Sequence, residues 1–236
     1  MRVNKPAPAR WFAAALLPLL AACGPTDPGE ALRALGEDQD GLITFYNEAD
    51  GTGNCSFMAT PQDLDVAAMN IGQYQDSAVC GSCVQIDGPK GSLRVRIVDS
   101  CPDCSTKGHL DLSPSAFAKL ADPVQGRVSV KWRMVTCDVQ GPIRYRFKDG
   151  SSQWWTGIQV LNHRVPVTKL EYWKNNAWVA VKRESYNYFV EPGGVGAGAL
   201  KVRVTAMDGQ TLEDTLPAPT PNNTSVIDGA AQFKAD

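Results

Sequence analysis

Beyond residue 137 the chain has no cysteine, its 236 residues include only two histidines, and no apolar run approaches the length of a bilayer. The missing long run excludes a membrane-spanning helix, which needs roughly 20 apolar residues. His109 and His163 lie far apart, and neither has cysteine or carboxylate neighbours at metal-ligand spacing. Both therefore read as structural, and neither a metal nor a cofactor is expected. An excess of positive charge is missing as well. Residues 24–141 carry 9 Lys/Arg against 16 Asp/Glu, and residues 142–236 carry 11 against 9. These balances argue against a nucleic-acid partner. The acidic first half also argues against attachment there to anionic polymers.

What is present begins with an address. Arg2, Lys5 and Arg10 precede the apolar Trp11–Leu20, and Leu20-Ala21-Ala22-Cys23-Gly24 follows. A basic start, a short hydrophobic stretch and small residues before a cleavage point make a signal peptide over residues 1–22. Cysteine directly after Leu-Ala-Ala resembles a bacterial lipoprotein signal, in which Cys23 is lipidated and becomes the mature N-terminus. Gly24 after it points to the outer membrane or cell surface. An ordinary secretory signal is the alternative, and both place the rest of the chain outside the cytosol.

Setting Cys23 aside leaves Cys55, Cys80, Cys83, Cys101, Cys104 and Cys137. An even number in an exported chain reads as a disulfide set. The rival is a zinc ribbon, because Cys80-x-x-Cys83 and Cys101-x-x-Cys104 have its spacing. That rival leaves Cys55 and Cys137 over.

The chain after the signal is long enough for two domains. Residues 23–40, rich in Pro, Gly and acid, read as a flexible tether. From 41 to 141, short runs at Gly41–Tyr46, Leu64–Met69, Cys83–Ile86, Leu93–Val98 and Val128–Val135 alternate like strands, and only Ser113–Leu120 is helical in pattern. This half is expected to be a small β-barrel or sandwich. Pro142 marks a seam. Beyond it, Ile143–Phe147, Trp154–Leu161, Val167–Trp173, Ala177–Val181, Tyr186–Val190, Leu200–Ala206 and Thr211–Thr215 have the spacing of an Ig-like sandwich, residues 142–216. Residues 217–236, rich in Pro, Asn and Thr, read as a mobile tail.

Two features carry chemistry. Asp111 stands between Leu110 and Leu112, ahead of Ser113-Pro114, a helix cap followed by a proline tolerated at the first helical position. An acid between apolar residues at an element boundary is expected to be partly desolvated, which raises a carboxyl pKa and suits it to share a proton. The plainer reading is a solvated Asp before a helix. The second feature is Trp154-Trp155. Adjacent strand residues face opposite sides, so one Trp must be exposed unless the backbone twists to show both. Flat aromatic faces at a surface are what sugar rings stack upon, and Tyr186 is a third candidate. Core packing is the alternative for each, and Trp132, Trp173 and Trp178 are assigned to core or half-buried packing.

Thr44-Phe45-Tyr46, Cys80-Gly-Ser-Cys83, Val98-Asp99, Leu110-Asp-Leu-Ser-Pro-Ser-Ala-Phe117, Lys131-Trp-Arg133 and Trp154-Trp155 occur in the order seen in bacterial expansins. Gln159-Val-Leu-Asn-His163 and Leu200-Lys-Val-Arg203 extend the match, so the resemblance runs from about Gly41 to Thr215. It implies a mainly β chain: a six-stranded double-psi β-barrel, similar to that of family-45 endoglucanases, abutting an Ig-like carbohydrate-binding domain. It implies an essential acid at Asp111, further barrel residues at Asp99, Thr44 and Tyr46, and sugar contacts at Trp154, Trp155, Tyr186 and Lys148. The cysteines resemble those of plant and fungal relatives and imply pairs Cys55–Cys80, Cys83–Cys137 and Cys101–Cys104. Cys101 stands where many bacterial members carry Tyr, and Asp103 replaces a Glu.

The implied activity is loosening of cellulose-rich walls without hydrolysis. Hydrolysis needs an acid and a base or nucleophile. The endoglucanase base position falls on Thr44, which accepts no proton at neutral pH. Glu48 and Asp50 are nearby substitutes. The expected partners are cellulose and other plant-wall glucans, with xylan or peptidoglycan as further candidates. The membrane is met only through the lipid, and the chain is expected to act as a monomer. Two alternatives remain: a peptidoglycan lytic transglycosylase of the rare-lipoprotein-A type, and a purely carbohydrate-binding protein.

Overall fold

The computed structural model describes Met1, residues 33–47 and residues 49–235. The signal and Cys23 lie outside the described residues, as does Glu48. Residues 33–235 fall within one compact unit.

Its first half is a closed barrel. The strands are β1 (Gln39–Phe45), β2 (Val66–Asn70), β3 (Cys83–Gly88), β4 (Gly91–Cys101), β5 (His109–Leu112) and β6 (Val128–Val135), in the order β1-β5-β2-β4-β3-β6 with β6 closing on β1. The pairs β1–β5 and β2–β4 are parallel and the others antiparallel. Alternation sends Ile43, Met69, Ile86, Ile97, Leu110 and Leu112 inward to a core without measurable exposure beyond 1%. Helix α1 (Ile71–Tyr74) follows β2, and α2 (Pro114–Leu120) closes the barrel with Phe117 against Phe45 at 4.8 Å between ring centroids. The α2 start is as expected: the Ser113 hydroxyl accepts from the Ala116 N–H at 3.1 Å and Pro114 is the first helical residue.

All six remaining cysteines pair, as Cys55–Cys80, Cys83–Cys137 and Cys101–Cys104. No thiolate is left among them for a zinc ribbon.

The second half contains β7 (Arg144–Phe147), β8 (Thr156–Leu161), β9 (Val167–Lys174), β10 (Ala177–Arg183), β11 (Phe189–Glu191), β12 (Leu200–Ala206), β13 (Thr211–Leu216) and β14 (Val226–Asp228). They run β13-β12-β9-β10-β11-β8-β7-β14. Strand β10 pairs with β9 through Ala177–Val181 and with β11 through Lys182 and Arg183, so it belongs to both layers of a sandwich. Tyr145, Phe147, Ile158, Leu170, Phe189, Val202 and Val204 fill the space between them.

Two expectations about the ends are corrected. Within the expected tail 217–236, the described residues 217–235 are not loose: β14 pairs with β7, Ala231 accepts from the Ile143 N–H at 2.9 Å, and Phe233 enters the sandwich core at 1% exposure. The free edge of β7 supplies the hydrogen bonds that a Pro- and Asn-rich segment cannot make alone. Residues 33–40, assigned to the tether, are also held. Leu35 donates to the Met134 carbonyl at 2.8 Å, Asp38 pairs with Arg133 at 2.9 Å, and β1 begins at Gln39.

Polar groups fasten barrel to sandwich. Gln159 and Asn187 both donate to the Cys55 carbonyl, at 2.9 and 3.0 Å, and Arg183 reaches the carbonyls of Ala78 and Val167. His163 is buried here against Gly81, where an added Cβ would lie 2.6 Å from the imidazole Nε2. Gly81 has φ +76°, so both its conformation and its contact require glycine.

Candidate functional site

The register of four neighbouring strands places Thr44 on β1 opposite Asp111 on β5, Asp111 opposite Ala68 on β2, and Ala68 opposite Asp99 on β4. Paired residues share a face, and this face is the one opposite to the barrel core. Strands about 4.8 Å apart spread the row over about 14 Å, a length that a short stretch of polysaccharide spans. A β-bulge builds the far end. Pairing passes from Ala67–Ile97 directly to Ala68–Asp99, leaving Val98 as the extra residue and turning Asp99 onto the row.

Asp111 is half-buried one residue before the end of β5 and two before the α2 cap Ser113, so the boundary the sequence suggested is a strand end. A four-residue strand whose partners are 40 and more residues away leaves only its alternation as a local pattern. One Asp111 oxygen, Oδ1, accepts from the Thr44 hydroxyl, and the Thr44 oxygen lies 2.9 Å from His109 Nε2. His109 is thus not merely structural. It precedes Asp111 by two residues on the same strand face, and that period was the available signal. Burial holds its imidazole below the usual histidine range, against the opposing pull of the Asp111 carboxylate, with Arg127 adding to the fall.

Asp99 is fixed differently. Its Oδ1 accepts from the backbone N–H groups of Asn54 at 2.6 Å and Ser100 at 2.8 Å. Gly53 permits this approach, since a Cβ there would lie 2.6 Å from the Asp99 side chain. Tyr46 stands nearby with a buried hydroxyl that has no partner among the described residues. Burial first, then the charges of Asp99, Asp111 and Asp50, push its phenol up to about 12, so it stays a neutral donor. Asp50 accepts from the Thr52 N–H at 2.9 Å and from its hydroxyl at 2.5 Å, which holds it to its own loop. The Cys101–Cys104 disulfide borders the row: both sulfurs and an Asp111 carboxylate oxygen lie within 4.8 Å of one another.

The sandwich contributes a second surface. Trp154-Trp155 are not in a regular strand. Ser152 donates to the Trp155 carbonyl at 2.7 Å across a turn, and β8 starts only at Thr156. The turn lets both indoles reach the surface, with Trp154 74% exposed and Trp155 half-buried. Trp155 and Lys148 converge over Gly157, where an added Cβ would meet them at 3.3 and 3.0 Å. The Lys148 ammonium lies 5.9 Å from the Tyr186 ring centroid and 5.4 Å from that of Tyr188. Trp155, Tyr186 and Lys148 therefore gather on one region, with Tyr188 as an aromatic neighbour that the sequence reading missed, while Trp154, next in the chain, borders a cleft with Gly196, Gly198 and Pro219. Trp132 is core at 2% exposure and Trp178 is half-buried, whereas Trp173, which meets Trp178 edge-on, is 42% exposed, so its assignment to packing is corrected.

Comparison with known proteins follows the same division. A family model described as lytic transglycolase matches residues 38–132, the span of the barrel. Over 211 residues the chain is 35% identical to Expansin-YoaJ of Bacillus subtilis (strain 168), covering 86% of this chain and 90% of that protein. The chain belongs to the expansin family. Expansin-like protein 5 of Dictyostelium discoideum is 31% identical over 204 residues, 81% of this expansin and 84% of the relative. The crystal structure of apo-expansin from Clavibacter michiganensis is 32% identical with a TM-score of 0.75, covering 84% of this chain and 98% of that one. A mutant of the Clavibacter protein, with the same identity of 32% and TM-score of 0.75, was solved in complex with cellohexaose.

Proposed function

We propose that this expansin loosens cellulose-rich walls by binding glucan chains and separating them, without cutting them. The observation that carries the reading is the row itself: Asp111 faces a threonine across β1–β5, where a glycosidase would need a second carboxyl group. Thr44 spends its proton on Asp111 and has no capacity to act as a base. The cellohexaose bound by a relative supports glucan as the ligand. Trp154, Trp155 and Tyr186 dock one chain through their ring faces, beside the Lys148 ammonium. Asp111, Asp99, Thr44 and the unpaired Tyr46 hydroxyl engage the hydroxyls of a neighbouring chain and compete with its chain–chain hydrogen bonds. The work is done outside the cytosol, by a monomer, on cellulose and related wall glucans, xylan among them. Cys23 anchors the chain by lipid to the outer membrane or cell surface.

The decisive experiment is creep of a cellulose paper strip under constant load, with wild type beside Asp111→Asn. Extension by wild type alone, without soluble sugar, is expected. No extension from protein shown to be bound to the strip overturns the reading. A second reading, cleavage of peptidoglycan, is favoured by the family model on the barrel. Release of muropeptides from isolated sacculi would establish it in place of the first.

A further inference from the structure

The Thr44 oxygen sits between two partners, Asp111 Oδ1 on one side and His109 Nε2 at 2.9 Å on the other. A threonine hydroxyl has a single proton to donate and lone pairs to accept with. Its close contact with an ionised carboxylate requires that proton, since otherwise two sets of lone pairs would face each other. The only group left to fill the contact with the imidazole is then a proton on Nε2 itself. The chain of donors has one direction: His109 Nε2–H to Thr44, and Thr44 O–H to Asp111. All three residues are anchored by strand register, Leu42 facing His109 and Thr44 facing Asp111.

We propose that His109 is a positioning residue of the row: its Nε2–H commits the Thr44 hydroxyl to Asp111 Oδ1 and so assigns Oδ2 as the oxygen that meets glucan. The inference rests on Asp111 being the acting acid. Reversing the chain would need a proton on Oδ1, donation from Asp111 to Thr44, and a bare Nε2 with the proton moved to Nδ1. The neutral imidazole, which burial favours, would have to change tautomer for each such reversal. A proton carried by Asp111 therefore resides on Oδ2, which accepts no hydrogen bond among the described residues. Thr44, occupied on both sides, is a spacer between His109 and Asp111 and does not itself exchange protons with the polysaccharide. The charged and titratable groups that bear on His109 are Asp111 and Arg127.

The test joins a spectroscopic arm to a mechanical one. In the full-length chain, nitrogen-15 correlation spectra of the histidine rings at neutral pH are expected to show His109 with a slowly exchanging proton on Nε2. In Thr44→Val that protection should disappear. A proton on Nδ1, or an Nε2 signal indifferent to Thr44→Val, overturns the proposal. In paper creep at equal bound protein, His109→Leu is expected to act about fivefold more slowly, the effect of losing one ordinary hydrogen bond. His109→Gln, which keeps an N–H donor, should recover most of that loss, with both variants folded by thermal melting. If Asp111→Asn is inactive while His109→Leu creeps like wild type, this proposal falls and the reading of Asp111 stands. If Asp111→Asn creeps like wild type, both fall.

Discussion

The Asn54 side-chain amide donates to the Ser185 carbonyl at 2.9 Å, while the Asn54 backbone N–H donates to Asp99 at 2.6 Å. One residue of the barrel thus holds an acid of the row and the turn that carries Tyr186. Tyr74 adds a second bond to the same carbonyl, at 3.1 Å. Asn54→Ala removes one bond between the halves, worth about 1 kcal/mol. Melting should fall by a few degrees, cellulose binding should persist, and creep per bound molecule should drop. Unchanged creep at equal binding would show that the two surfaces work independently.

Trp154 and Trp155 separate binding from stability. Trp154 is 74% exposed, so Trp154→Ala should leave the melting temperature within a degree or two while weakening cellulose binding about tenfold. Trp155 lies over Gly157, so Trp155→Ala should lower both. Gly157→Ala would push the indole and Lys148 apart from below and should weaken binding with both aromatic side chains still present. Depletion isotherms on crystalline cellulose, paired with melting curves, distinguish these outcomes.

His163 gives the fold a pH dependence of known sign. Burial, then the Arg183 charge, pushes its imidazole down to about 4. The unfolded chain binds this proton near pH 6.5 and the folded chain near 4, so stability is complete above pH 6.5 and is lost as pH falls toward 4. The loss is roughly 3 kcal/mol. His163→Gln should start less stable, through disturbed packing on Gly81, yet show a flatter decline across pH 4–6.5. A decline as steep as that of wild type would assign the dependence to other groups.

The disulfides should differ in worth. By loop-closure entropy, Cys83–Cys137, with a separation of 54, is worth about 4 kcal/mol, and Cys101–Cys104, with a separation of 3, less than half as much. Replacing Cys101 and Cys104 by Ser should therefore leave a folded barrel but alter the border of Asp111, lowering creep more than stability. Replacing Cys83 and Cys137 should do the reverse. Melting and creep of the two double variants provide the comparison.

Lipid attachment is read from residues 20–24 and has its own test. Cys23→Ser should abolish incorporation of labelled fatty acid and release the protein from the envelope fraction. Retention of the label on the variant would remove Cys23 as the attachment point.

Sequence and structure agree where information is local. The alternation of Ile43, Ile86 and Ile97 and the Ser113-Pro114 cap were readable as written, and the resemblance named Thr44 and Asp111, which the strand register sets opposite each other. What escaped depends on distant partners. His109 acquires meaning only from Thr44, 65 positions away. Strand β5 has only four residues, and Gly108 before it marks a turn without saying that a strand follows. Residues 217–235 look disordered by composition because the apolar members that matter, Ile227 and Phe233, are few and far apart. Trp154-Trp155 looked like the start of a strand because a turn made by Ser152 and Trp155 has no proline or glycine at its centre.

Val98, the extra residue of the bulge, ties what the barrel displays to the length of its chain. With β4 at its present length but paired to β2 without the bulge, the position beside Ala68 would fall to valine and the acid would be carried one place past it. Loss of Val98 itself would close the ladder and leave Asp99 where it stands. Side-chain exchange and chain length are thus separate controls over what the barrel shows to a polysaccharide. A single-codon deletion at Val98 can straighten the strand while sparing the acid, whereas replacement of Asp99 by asparagine takes away its charge and leaves the bulge untouched.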